Sequence, residues 1–175
     1  MAMRLAFFTF GHLKAPFGHP DVQGFIDRVP GVYGAADDMG LIDRSRRSLE
    51  DYSHSWGKIV TPKCWGEPDL PRTAATLSLW EDIESVAAFA YHGLHGEAMT
   101  KRTEWFVHRG LPEQTGWWIE EGDIPDWQTA ADRMDHLHDH GSSPHAFNLK
   151  KPFDAEGNAY RLDTERIRQK AAVAP

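Results

Sequence analysis

His95 and Arg102 are the residues best suited by type and spacing to do chemistry. His95, Ala98, Met99, Arg102, Trp105 and Phe106 fall at i, i+3, i+4, i+7, i+10 and i+11, one stripe of a single helix. Glu97, Lys101, Glu104 and His108 take the opposite, polar face. An imidazole and a guanidinium on an otherwise apolar stripe are costly to bury unless they are paired. In one reading His95 is a general acid/base, a heme ligand or a substrate anchor, and Arg102 grips a carboxylate or propionate. In the other, His95 is a hydrogen-bonded core histidine, and Arg102 is held by carbonyl oxygens or by a carboxylate of a partner subunit. The spacing fits both.

Other residues carry weaker signals. His92 and His95 stand at i, i+3, but Gly93 lies between them and no carboxylate is placed as a third metal ligand. His136 and His140 have the i, i+4 spacing of a helical zinc pair, yet Leu137 stands where a zinc protease needs glutamate. With Asp132 and Arg133 beside them they read as a solvated helix face, and no metal site is expected. Cys64, between Lys63 and Trp65, is a lone thiol without a positioned base. There is no glycine-rich phosphate loop, no Gly-x-Ser-x-Gly elbow and no dinucleotide fingerprint, which removes the commonest nucleotide and hydrolase readings.

The elements that must position these residues follow from periodicity and punctuation. Strands are predicted at 4–10, 41–44, near 58–61, at 73–80, 115–120 and 146–151. A helix begins at Asp21, and a second piece runs from Pro30 to Met39 before Gly40. Asp82 caps a helix that Gly93 and Gly96 interrupt, with a further piece to about His108. Asp126 caps another helix ending at His140, and a weak helical pattern spans 165–172. Residues 45–72, with Trp56 and Trp65, are otherwise a long loop. This order predicts an α+β protein, a repeated split β-α-β unit with helices on one face. The other face would be left for a second copy, making a homodimer. Residues 1–153 read as the single domain, and the polar stretch 154–175 as a loose tail or an arm on a partner.

Composition bounds the function. A chain of 175 residues with 41% hydrophobic and 26% charged residues is one ordinary globular domain. A net charge of -7 argues against nucleic-acid or anionic-membrane binding. No apolar run approaches the roughly 20 residues of a membrane span. One cysteine excludes an internal disulfide, and no signal segment is evident, so a cytoplasmic location is expected. Ten histidines and seven tryptophans are many for this length. The indoles either build the core or line a pocket.

The stretch Leu77-Ser78-Leu79-Trp80-Glu81-Asp82-Ile83-Glu84-Ser85 is similar to the strand-to-helix junction of the dimeric α+β barrel superfamily, the fold of antibiotic-biosynthesis monooxygenases. Phe89-Ala90-Tyr91 with His95, Arg102, Glu104, Trp105 and Phe106 resembles an uncharacterised bacterial family in that superfamily. So do Trp117-Trp118, Gly122, Ile124-Pro125, His140-Gly141, Pro144, Ala146, Phe147 and Pro152-Phe153. The likeness spans about residues 3 to 153. The family usually has a histidine where this chain has Asp123, and an arginine or similar where it has His92.

The resemblance implies a ferredoxin-like protomer whose sheet closes with a second copy into a barrel. It is distantly similar to spheroidene monooxygenase, and the wider superfamily includes cofactor-free and heme-degrading monooxygenases and heme-dependent aldoxime dehydratases. It implies a cavity between sheet and helices, under the helix carrying His95. Trp80, Met99, Trp105 and one of Trp117 or Trp118 would line it. A monooxygenase-type oxidoreductase acting on an apolar or aromatic small molecule follows, with heme on His95 or no cofactor at all and Arg102 as anion clamp. The alternatives are a non-catalytic binding or interaction module, and a heme-dependent dehydratase or isomerase.

Overall fold

A computed structural model describes residues 2–48 and 53–173. Strand β1 (Met3–His12) is the centre of a four-stranded sheet. It pairs antiparallel with β3 (Thr73–Trp80) on one side and with β4 (Gln114–Glu120) on the other. β2 (Leu41–Arg44) pairs antiparallel outside β3, so the order is β2-β3-β1-β4. Between β1 and β2 lie α1 (Gln23–Ile26) and α2 (Val29–Asp38). Between β3 and β4 lie α3 (Ile83–Tyr91), α4 (Gly93–Thr100) and α5 (Arg102–Trp105). Each strand-helix-strand unit is thus split by a strand of the other, as the element order predicts.

Side chains of β1 alternate between two apolar faces. Leu5 and Phe7 pack with Ala36 of α2 and with Ile83 and Val86 of α3. Ala6, Phe8 and Phe10 pack the other way, against Trp127, Ala130 and Met134 of α6 (Trp127–His140). Those three recur at i, i+3 and i+7, so one stripe of α6 faces the sheet. Trp65, Trp56, Ile59 and Val60, from the irregular segment before β3, complete this cover.

Helices expected on one face therefore lie on both. The face expected to be bare for a second copy is closed by the chain itself, and Phe8 has no exposed surface. A barrel formed with a second copy would need the face that α6 occupies. Two predicted strands are also absent. Residues 58–61 are irregular, because Ile59 and Val60 spend their apolar surface on the α6-side cluster. The segment expected as a strand at 146–151 keeps only isolated bridges, one from Ala146 back to Ser143 and one in which Gly116 and Phe147 exchange backbone hydrogen bonds. A Cβ at Gly116 would meet the Phe147 and Phe7 rings at 3.1 and 3.2 Å, so any larger residue would have to push these rings back by a few tenths of an ångström.

Residues 154–171 are packed rather than loose. Helix α7 (Thr164–Ala171) lies on α3 through Ile167, and Arg166 pairs with Asp82 at 2.7 Å. Buried Glu84 accepts from the Tyr160 hydroxyl at 2.7 Å and the Asp163 amide at 3.2 Å. No helix among the described residues is long and apolar enough to cross a membrane.

Closure of both faces by one chain gives an expected outcome. Phe8→Ala should destabilise the fold by about 3–5 kcal/mol. The melting temperature of the unaltered protein should not change with protein concentration. A melting temperature that rises with concentration would show self-association of the folded protein.

Candidate functional site

The helical stripe that joins His95 to Arg102 is not continuous. α3 stops at Tyr91, and Gly93 takes a φ of +59°, a left-handed turn that favours glycine. α4 then ends at Thr100, with Lys101 between it and α5. The break at Gly93 is as expected, but two short helices replace the single piece expected after it, and the predicted stripe is broken at Lys101.

His95 packs on the Phe89 ring, centroids 4.4 Å apart. Its Nδ1 donates to the Ala90 carbonyl at 3.1 Å. That carbonyl is one of the last in α3, where no helical partner exists. Burial pushes the His95 pKa down, and the Ala90 hydrogen bond only partly opposes this. The ring is held neutral, with Nε2 carrying the lone pair.

Arg102 points elsewhere. Its guanidinium meets Glu113 at 3.2 Å, and the other Glu113 oxygen lies 3.4 Å from His108 Nδ1. These three residues belong to an open cleft of about 760 Å³ beside the start of β4. Its apolar side includes Met99, Leu111, Pro112 and Leu137. Lys150 and Lys151 also line it, and they form no ion pair among the described residues. Their backbone amides both donate to Asn148 Oδ1, at 3.0 and 3.1 Å, so a local turn presents both lysines together. In a chain of net charge -7, this cleft gathers Arg102, Lys150 and Lys151 against the single carboxylate of Glu113.

Of the residues expected to share one cavity, only Met99 and Arg102 line this cleft; His95 does not. Trp80, Trp105 and Trp117 are buried in three separate apolar clusters. Trp118 donates from Nε1 to the Phe153 carbonyl at 2.8 Å and lines a smaller pocket beside Glu84 and Tyr160. These positions do not fit a heme with His95 as axial ligand. Phe89 lies against the imidazole, and the indoles that would sandwich a porphyrin are dispersed.

The remaining candidates are bland. His136 stacks near His140 and His145 at 4.6 and 4.7 Å, but no group of three histidine, cysteine or acidic side chains among the described residues is arranged to hold a metal. The Cys64 thiol is pushed up to about 12, by burial and then by the neighbouring Asp135 carboxylate, which disfavours the thiolate.

A family model described as "Domain of unknown function (DUF3291)" matches residues 4–163. The chain belongs to the DUF3291 family. No curated protein matches it. Two solved structures are similar to it at low identity. A conserved protein from Methanosarcina mazei Go1 is 13% identical, with 68% of this chain and 93% of that one covered and a TM-score of 0.42. The NE2512 protein of unknown function from Nitrosomonas europaea is 10% identical, with 71% and 94% covered and a TM-score of 0.42.

This DUF3291 chain also holds a residue that sequence patterning passed over. His12 ends β1 with 2% of its surface exposed, between the Phe10 and Trp65 rings at 5.5 and 5.3 Å. Neither ring nitrogen has a hydrogen-bond partner among the described residues. Burial lowers its pKa, Arg109 and Arg72 add to this, and Asp69 opposes it. His54, against Trp127, is lowered by burial and by Arg47. The only sequence signal for His12 is a polar residue in phase with Ala6, Phe8 and Phe10. Because the folded pKa lies below the unfolded value near 6.5, the unfolded chain binds protons first as pH falls. Stability should be full above about pH 6.5 and decline below it. His12→Phe should flatten the melting temperature against pH between about 7 and 5. An unchanged slope would remove His12 as the cause.

Proposed function

We propose that the protein binds a small organic anion in the cleft between Arg102, Lys150 and Lys151, with the apolar part of the ligand on Met99, Leu111 and Leu137. The observation that carries this reading is the concentration of three cations in one cleft of an acidic chain. A concave site with an apolar floor and a few convergent polar groups is the usual form of a small-molecule site. Arginine supplies two parallel donors that match a carboxylate or phosphate, and the lysines supply point charge. The reading keeps Arg102 as the anion clamp that the resemblance implies and makes His95 a positioning residue. The His95 hydrogen bond to Ala90 ties α4 to the end of α3, and α4 carries Met99 toward the cleft.

A second reading, oxygenase chemistry without cofactor, is favoured by one observation. With Nδ1 donating to Ala90, neutral His95 keeps Nε2 free to abstract a proton.

One pair of variants separates the two. In the first reading Arg102→Ala weakens binding of phenylacetate, a carboxylate with an apolar ring, by about tenfold or more in calorimetric titration. His95→Ala instead lowers the melting temperature, at a cost of about 1–3 kcal/mol, for the lost bond to a helix-end carbonyl. A His95→Ala protein of unchanged melting temperature that no longer binds the ligand would move the site to His95.

A further inference from the structure

The cleft already contains one carboxylate, and it sits on the groups best suited to hold a ligand's. Glu113 places one oxygen 3.2 Å from the Arg102 guanidinium and the other 3.4 Å from His108 Nδ1. Three residues of one connection, from α5 into β4, are brought together to do this. The Glu113 carbonyl accepts from the Phe10 amide at 3.0 Å, which fixes that residue at the entry to β4. Val107 donates to the His12 carbonyl at 2.9 Å, which holds the neighbouring His108 beside the same strand. Arg102 opens α5 and is held by its own turn, through Phe106 donating to its carbonyl at 2.8 Å.

We infer that the cleft is a carboxylate site occupied by its own side chain, in which Glu113 stands where the carboxylate of the ligand binds and is displaced by it. The inference rests on the anion-cleft reading above and names the ligand class: a monocarboxylate carried on an apolar body. Three features point this way. Glu113 is the only acidic residue lining the cleft among the described residues, and it lies on the arginine rather than on either lysine. Its two oxygens divide between two nitrogen donors, an arrangement a planar carboxylate fits without rearranging Arg102 or His108. The Glu113 side chain is about one-third exposed, so it can swing into solvent and leave the guanidinium without stranding a buried charge. Exchange of one carboxylate for another keeps the local charge constant. A phosphate dianion would add a charge and a third oxygen, which only the point charges of Lys150 and Lys151 are there to meet.

Glu113 therefore acts as a competitor with very high local concentration, and apparent affinity for an outside carboxylate is reduced by that competition. The competition also serves specificity. A ligand gains entry only by adding contacts that Glu113 lacks, on Met99, Leu111 and Leu137.

Calorimetric titration of the full chain with phenylacetate, and separately with inorganic phosphate, tests this. Melting curves confirm that each variant is folded. Glu113→Gln should bind phenylacetate roughly tenfold more tightly than the unaltered protein. The gain should vanish in the Glu113→Gln, Arg102→Lys double variant, since an ammonium cannot present the same fork. Phosphate should gain little from Glu113→Gln. Equal phenylacetate affinity with and without Glu113 overturns the self-occupied site but leaves an anion cleft. A gain for phosphate in place of phenylacetate overturns the carboxylate assignment. Binding of neither probe to either protein overturns both the inference and the cleft reading beneath it.

Discussion

The two-sided burial of β1 is the constraint on which the rest of the molecule depends. A strand that carries Leu5 and Phe7 on one face and Ala6, Phe8 and Phe10 on the other has no solvent side. Each face has to be covered, and one chain covers both. The helices between strands take the first face. The second needs an amphipathic helix from after the sheet and an aromatic segment from the middle of the chain, and α6 and Trp65 supply them. Long connections that look like insertions in a minimal split β-α-β unit are thereby structural parts of the core.

The cleft follows from how that arrangement ends. β4 is the last strand of the ladder, and beyond it only the Phe147 bridge continues the pairing. The loop into β4 and the end of α6 line the cleft at this edge. The break at Gly93 shortens the helical arm, so Met99 and Arg102 reach the opening while Trp105 turns back to pack with Leu13 and Val22. The polar lining comes from three segments that no local pattern connects.

Elements with local signals were legible in the sequence. β2 and β3 have the predicted bounds, and Asp82 and Asp126 cap their helices by accepting from Ser85 and Thr129. The break at Gly93 was legible because a left-handed residue interrupts the period. The covered face was not, because alternation in β1 is silent about whether a helix or a second copy covers it. The same limit applies to the site. A stripe drawn through Lys101 joined His95 to Arg102, but a helix end at Thr100 rotates the two apart. Arg102 and Met99 kept a place in the candidate site. Lys150 and Lys151 did not emerge, since they meet Arg102 only through packing at distant sequence separation, and Glu113 did not because no regular period links it to Arg102 across the loop between them. The indoles illustrate the ambiguity of composition: most of them are core.

The hydrogen bonds of Glu84 also bear on how the protein is made. This side chain is nearly inaccessible to solvent. Tyr160 and Asp163 supply its donors, and Arg166 lies 3.9 Å away. α3 is synthesised roughly eighty residues before them. A carboxylate enclosed without donors is strongly disfavoured. During vectorial synthesis, therefore, the helical layer cannot close over Glu84 when β3 and α3 first leave the ribosome. It stays hydrated until Tyr160 and Asp163 arrive, so a much later part of the chain licenses the final packing of this earlier one.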